Sequence, residues 1–232
     1  MLDTSDVADL DPFGLMDAEA GRLFAFFSSL GERDWQADTR CEGWRRREIV
    51  AHLAGAEIYH TACLDDTVSD LLAEAARAGA TDGDAFNAWM VRRYAERPAQ
   101  EVLDEWWRLN SDVRQRMRER GRDGTMSSSV GPYPVGLMGF HLASEYATHY
   151  DDMDGPLTPE EKDERTAWRV KVSLFALKEA SKPVEVSRTA DFYRVQAAGQ
   201  ETTLTPSEFV EAVVARLKTI DPALQEALRA LA

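Results

Sequence analysis

Residues 135–150 read VGLMGFHLASEYATHY, and apolar side chains recur in this stretch at the spacing of an α-helix. His141, Glu145 and His149 are four residues apart, which places all three on one side of the predicted helix. Apolar residues share that side, so ionisable groups there would face a core and would be costly unless something satisfied them. A bound metal would satisfy them, and so would hydrogen bonds from the two histidines to Glu145.

A second predicted helix presents another imidazole to the interior. His52 lies between Ile49 and Leu53, one turn after Glu48. Helix bundles commonly build metal sites from His and carboxylate side chains that project inward from facing helices. Two imidazoles, one carboxylate and a water molecule also make a typical catalytic zinc site. The alternative is that His52 is a core residue satisfied by hydrogen bonds.

The first two thirds of the chain predict a helical bundle. Periodic apolar residues that end at Gly or Pro indicate further helices at about 15–30, 49–78, 86–97 and 102–120. Pro98 either kinks or breaks the run formed by the last two, because proline cannot supply the backbone donor that a helix needs. Counting that run as one helix, the helix at 135–150 is the fourth, and we expect a four-helix bundle at residues 1–157.

The remaining residues predict a small α+β domain at 158–232. Thr158 and Pro159 suit the first positions of a helix that runs to about Ala180. Alternating branched and aromatic residues then predict strands, and Pro marks the start of each later helix. These elements are strands at 183–188, 191–197 and 201–204 and helices at 205–217 and 222–232.

The composition excludes several classes of protein. Lys and Arg total 27 against 41 Asp and Glu, and the resulting net charge of −14 disfavours binding to nucleic acid or to anionic membranes. No stretch approaches the roughly 20 apolar residues that cross a bilayer, and no secretory signal is evident. We therefore expect a cytoplasmic protein in which Cys41 and Cys63 are reduced. We interpret Cys41 as structural.

Two motifs carry a resemblance to a known family. Residues 39–44 read TRCEGW and residues 48–55 read EIVAHLAG, and residues 145–151 read EYATHYD with a Glu-x-x-x-His spacing. This combination resembles the mycothiol-dependent maleylpyruvate isomerase family, a branch of the DinB-like metal-binding bundles. The sequence departs from the usual pattern at Arg45, where the family commonly has a small hydroxyl residue that caps the helix.

The resemblance implies a site as well as a DinB-like fold. His52, Glu145 and His149 would hold a divalent metal, usually taken as zinc, and His141 would be a catalytic pocket residue. The family also places an arginine of the C-terminal domain near the active site. Arg216 matches that position best, with Arg188 and Arg194 as the other candidates.

The resemblance further implies an enzyme that uses mycothiol, a low-molecular-weight thiol, with a zinc-activated thiolate as the nucleophile. It would be an S-transferase or isomerase acting on a small-molecule electrophile, as a monomer or homodimer. Asp151 or Asp152 could orient His149 as an acceptor of its hydrogen bond. The alternative functions are a metal-dependent hydrolase or cyclase that uses bound water, and a non-catalytic protein that binds a small ligand.

Overall fold

The computed structural model describes residues 2–231, which form two compact units. The first unit contains residues 12–155, and the second contains residues 156–231 together with residues 2–11. No helix within residues 2–231 combines the length and the apolar character that crossing a membrane requires.

The first unit is a four-helix bundle with two additional short helices. Its helices are α1 Pro12–Ser28, α2 Arg46–Leu64, α3 Val68–Arg77, α4 Gly83–Arg92, α5 Ala99–Arg120 and α6 Val135–Asp152. The bundle consists of α1, α2, α5 and α6, with α2 packed mainly against α5 and α1 mainly against α6. The prediction of a mainly α bundle is confirmed.

The structure corrects the sequence-based prediction at two places in this unit. The helix predicted at 49–78 is interrupted after Leu64, because Asp66 adopts a left-handed backbone conformation with φ of 59°. The loop predicted before residue 135 contains a two-stranded antiparallel ribbon, β1 Thr125–Met126 and β2 Tyr133–Pro134. Strands of two residues are too short to show the alternation of side chains from which strands are predicted.

Aromatic side chains fill the centre of the bundle. Phe27 of α1, Trp106 of α5 and Tyr146 of α6 are all fully buried, and the Trp106 ring meets both of the others edge-on. Gly55 of α2 lets α4 approach closely, since a Cβ atom there would lie 2.5 Å from the Cβ atom of Met90. This contact sets how closely α2 and α4 pack.

The second unit packs helices against a three-stranded antiparallel sheet, so the predicted α+β architecture is confirmed. Its elements are α7 Pro159–Glu179, β3 Glu185–Arg188, β4 Tyr193–Ala197, β5 Gln200–Leu204, α8 Pro206–Val213 and α9 Pro222–Leu228, with strand order β3-β4-β5. Thr158 and Glu161 form the capping box at the start of α7. The helix predicted at 205–217 ends at Val213, because Ala215 adopts a left-handed conformation with φ of 57°.

Residues 2–11 belong with this second unit, whereas the sequence placed them with the bundle at 1–157. Val7 is fully buried, and this segment packs against α7. Lys171 of α7 pairs with Asp9, and Lys178 pairs with Asp3. The segment is too short for a hydrophobic period, so its partner could not be identified from the sequence.

Candidate metal centre

Two helices of the bundle bring together the three predicted ligands. His52 lies on α2, and Glu145 and His149 lie one turn apart on α6. One potential ligand atom from each residue lies within 4.8 Å of the others, and Nε2 of His52 is 3.0 Å from Oε1 of Glu145. The two imidazole rings meet edge to face, with their centroids 4.9 Å apart. Sequence spacing predicted the α6 pair, and packing of the two helices brings His52 to it.

His52 and Glu145 have the protonation states that metal binding requires. Burial lowers the pKa of His52, which leaves its imidazole neutral at neutral pH. Burial by itself would raise the pKa of Glu145, but the hydrogen bond with His52 outweighs it and lowers that pKa to about 2. A neutral imidazole beside an ionised carboxylate can coordinate a divalent cation directly.

His149 is oriented by a carboxylate one helical turn further along α6. Oδ2 of Asp152 lies 3.2 Å from Nδ1 of His149, and Asp152 is almost fully buried. Burial opposes a charge on His149, but its contacts with Asp152 and Cys41 outweigh burial and raise its pKa to about 10. Because Asp152 engages Nδ1, Nε2 is left as the ligand atom, and a metal that binds there has to displace the proton from Nε2.

Cys41, which the sequence analysis interpreted as structural, lies beside this pair. Its Sγ is 3.1 Å from Oδ2 of Asp152 and 3.9 Å from Nδ1 of His149. Cys41, His149 and Asp152 therefore form a second group of potential ligands that shares His149 with the first. The sequence distance of 108 residues between Cys41 and His149 hid this contact.

The TRCEGW motif positions Cys41 through its own hydrogen bonds. The Thr39 hydroxyl accepts the backbone N–H of Cys41 and donates to the carbonyl of Trp44, at 3.1 and 2.8 Å. The N–H of Arg40 donates to the carbonyl of Asp152 at 2.9 Å, which ties the loop to the end of α6.

The start of α2, where Arg45 replaces the expected cap residue, is held by the helix itself. The Glu48 carboxylate accepts the N–H of Arg45 at 3.0 Å. This bond supplies the acidic half of a capping box, so the N-terminus of α2 is secured although arginine has no acceptor atom to offer.

A cavity of about 660 Å³ adjoins the metal candidates inside the first unit. Glu145 forms part of its wall, which also includes His60 and Tyr59 of α2 and Phe86 of α4. This volume is typical of a small-molecule site. The cavity therefore reaches the candidate centre at Glu145, which is the one predicted metal ligand on its described wall.

The structure gives the other predicted residues partners of their own. His141 lies on α6, where its Nε2 is 3.0 Å from the hydroxyl of Tyr133, and it is not part of the described wall of the cavity. Arg216 follows α8 in the second unit, and its guanidinium donates to the carbonyl of Val214 at 3.3 Å. Arg194 of β4 pairs with Glu201. The catalytic roles of His141 and Arg216 stay predictions.

Sequence reasoning missed one buried polar pair on α2. Glu57 and His60 lie one turn apart, Glu57 is fully buried and His60 contributes to the cavity wall. Their spacing of three residues was the available signal, because residues three apart share a helix side.

Comparison with known proteins agrees with the fold and with the two motifs. A family model described as the mycothiol maleylpyruvate isomerase N-terminal domain matches residues 16–154. The crystal structure of the mycothiol-dependent maleylpyruvate isomerase is 14% identical, covers 88% of both chains and superposes with a TM-score of 0.61. The structure of a histidine-to-alanine mutant of a mycothiol-dependent maleylpyruvate isomerase is also 14% identical over 88% of both chains, with a TM-score of 0.60.

At this identity the structural likeness establishes the fold alone. Among curated proteins none matches the sequence significantly. The family match covers more than half of the chain and includes both motifs. This chain therefore belongs to the mycothiol maleylpyruvate isomerase family through its N-terminal domain.

Proposed function

We propose that this protein is a metal-dependent enzyme that uses mycothiol on an electrophilic small molecule, as an isomerase or an S-transferase. The observation that carries the proposal is the convergence of His52, Glu145 and His149 beside a cavity whose wall includes Glu145. Family membership supports mycothiol as the thiol and isomerisation as the reaction type.

The residues of the centre fit a divalent ion such as zinc. The donor set of two imidazoles and one carboxylate is a common catalytic zinc set, with a further position left for a ligand. When bound, zinc lowers the pKa of a coordinated thiol and so supplies a thiolate at neutral pH. Asp152 keeps Nε2 of His149 directed at the centre, and the cavity holds the electrophile next to Glu145.

The wall of the cavity offers an apolar surface to the electrophile. Leu72, Ala76 and Phe86 contribute this surface, and the carboxylates on the described wall are Asp82 and Glu145. The charge of Glu145 would be offset by a bound dication, which would leave a positive centre that can polarise a carbonyl group. We therefore propose an unsaturated carbonyl compound as the substrate class.

The experiment is turnover of candidate electrophiles by zinc-loaded protein with mycothiol, followed by mass spectrometry. We expect an S-conjugate or an isomer of the electrophile, and zinc at about one equivalent. Glu145→Gln should lose both zinc and turnover. Asp38→Asn is the matched control, because it neutralises an exposed carboxylate in the loop before α2 and should retain both.

Other outcomes would contradict the proposal in specific ways. Turnover without any added thiol would indicate a hydrolase or cyclase that uses bound water. Full activity in zinc-free protein would remove the metal from the reaction. Binding of zinc and mycothiol with no turnover of any electrophile would indicate a non-catalytic binding protein.

A further inference from the structure

A buried polar pair, Glu57 and His60, lies near the candidate metal ligands, on helix α2, which also carries His52. Glu57 is fully buried, and the side chain of His60 is 7% exposed where it joins the cavity wall. Oε2 of Glu57 faces Nδ1 of His60 at 3.7 Å. Within residues 2–231, neither of these two atoms has a hydrogen-bond partner, although both are buried.

The other oxygen of Glu57 is held firmly by neighbouring helices. The hydroxyl of Tyr146 on α6 donates to Oε1 at 2.6 Å, and Nδ2 of Asn110 on α5 donates to the same atom at 2.7 Å. Asn110 is oriented in turn by Arg114, whose Nε donates to its Oδ1 at 2.7 Å. The carboxylate is therefore fixed in orientation, with its second oxygen directed at the imidazole of His60.

This arrangement is unusual for a purely structural pair. Buried polar atoms in folded proteins are nearly always hydrogen-bonded, because an unpaired one loses its hydration without compensation. Here His60 belongs to the cavity wall and Glu57 does not, and their two facing atoms match the carboxylate–imidazole arrangement by which proteins orient a histidine for proton transfer. The distance of 3.7 Å would need to shorten for a hydrogen bond to form.

We propose that His60 transfers protons in the cavity reaction and that Glu57 is its positioning residue. The inference rests on the proposed function and deepens it, since Glu145 and His60 share one cavity wall. For a thiol that adds to a carbon–carbon double bond, His60 accepts the proton as the S–H bond breaks. The sulfur electron pair forms the C–S bond, and the displaced π pair takes the proton back from His60 as a C–H bond forms.

Together, these reaction steps add one thiol across one carbon–carbon double bond. Elimination of the thiol reverses the same steps, and His60 removes the C–H proton and returns it to sulfur. An isomerase that adds the thiol and then releases it after rotation about the carbon–carbon bond uses both directions. An S-transferase whose product keeps the thiol uses the addition alone.

The kinetic test compares His60→Asn, His60→Ala and Glu57→Gln with wild type. We expect His60→Asn to lower kcat by about 100-fold or more, the usual contribution of a proton-transfer residue, with KM changed by less than about threefold. Zinc content and mycothiol affinity should match wild type, and added imidazole should partly restore the activity of His60→Ala. Glu57→Gln should lower kcat by about 10-fold or more, because it withdraws the positioning charge.

Thr61→Val is the matched control for disturbing α2. Thr61 follows His60 directly and is half-buried, and it is not part of the described cavity wall. It should retain wild-type kcat. A kcat within threefold of wild type in His60→Asn would overturn the inference, as would an absence of imidazole rescue.

A measurement without turnover separates this inference from the proposed function. In the nitrogen-15 NMR spectrum of histidine-labelled protein, the His60 signal, assigned by its loss in His60→Asn, should show the tautomer protonated at Nδ1. That signal should change in Glu57→Gln. A neutral His60 protonated at Nε2, or a signal that is insensitive to Glu57→Gln, would contradict the pairing even if no electrophile were turned over.

Discussion

At the scale of single residues, the position of Asp152 on α6 decides how the candidate centre is oriented. The sequence offered Asp151 and Asp152 as acceptors for His149. Helix geometry favours the latter, because residues three apart share a helix side and residues two apart do not. The structure agrees, with Asp152 almost fully buried against Nδ1 of His149.

Asp152→Asn should therefore weaken zinc binding by about 10- to 100-fold, the usual effect of removing the carboxylate that orients a histidine ligand. The amide keeps the size of the side chain but loses the charge that polarises His149. Calorimetric titration of zinc into metal-free protein measures the change. Asp151→Asn is the control and should bind zinc as wild type does, and an equal loss in both variants would contradict this role of Asp152.

At the scale of elements, close approach of α2 and α4 depends on the absence of a side chain at Gly55. A Cβ atom would lie 2.5 Å from the Cβ atom of Met90 and 3.1 Å from its Cγ atom. The first of these atoms is fixed to the backbone, so one helix would have to move. The glycine in the AHLAG segment of the motif is thus explained by packing.

Gly55→Ala should lower the free energy of unfolding by about 1–3 kcal/mol, the usual cost of overpacking. Gly21→Ala is the matched control, since Gly21 is also inside a helix but nothing lies within 4 Å of its added Cβ atom. That variant should be neutral or more stable by up to about 1 kcal/mol, because alanine favours a helix. Urea unfolding measures both, and equal effects would refute the packing argument.

A polar contact joins α5 to the segment that comes after α4. Glu105 of α5 accepts the hydroxyl of Tyr94 at 3.1 Å and pairs with Arg97. Burial raises the pKa of Glu105, but the hydrogen bonds from Arg97 and Tyr94 outweigh it and lower that pKa. The stabilisation is therefore present above the unfolded-state pKa of about 4.3 and is lost as pH falls through the folded-state value.

Glu105→Gln should lower the free energy of unfolding by about 1 kcal/mol at neutral pH. Its difference from wild type should shrink as the pH falls below about 4, because wild-type Glu105 then takes up a proton. Urea unfolding at a series of pH values measures this dependence. Glu119→Gln, also on α5, should differ little from wild type throughout, and a pH-independent effect of Glu105→Gln would contradict the assignment.

At the scale of the whole molecule, the acidic composition and the candidate metal site both affect how the protein binds cations. A net charge of −14 favours association with cations in general. A specific site differs from this general attraction because it binds the folded state alone, and ligand binding to the folded state raises stability by mass action.

Zinc at about 100 times its dissociation constant should stabilise the chain by about 2.7 kcal/mol and raise Tm by about 5–10 °C. Differential scanning fluorimetry of metal-free protein with added zinc measures the shift. His149→Ala should abolish it, because the variant removes the ligand shared by both groups of potential ligands. A shift of the same size in that variant would indicate binding to surface carboxylates.

The sequence by itself determined the helical bundle, the small α+β domain and the three metal candidates. Helical periodicity is a local property, and Glu145 and His149 lie one turn apart, so both could be predicted from spacing. The family motif supplied His52 as their partner. The break after Leu64 escaped prediction because the apolar period continues across it while one residue adopts a left-handed conformation.

Only the tertiary structure decided which distant groups meet. Cys41 reaches Asp152 because the N–H of Arg40 ties the loop to the carbonyl of Asp152, and such a backbone hydrogen bond is independent of residue type. Glu57 is oriented by Tyr146 and Asn110 because α5 and α6 pack around α2. Such contacts form when helices bring together residues that are far apart in the sequence. No local sequence pattern predicts them.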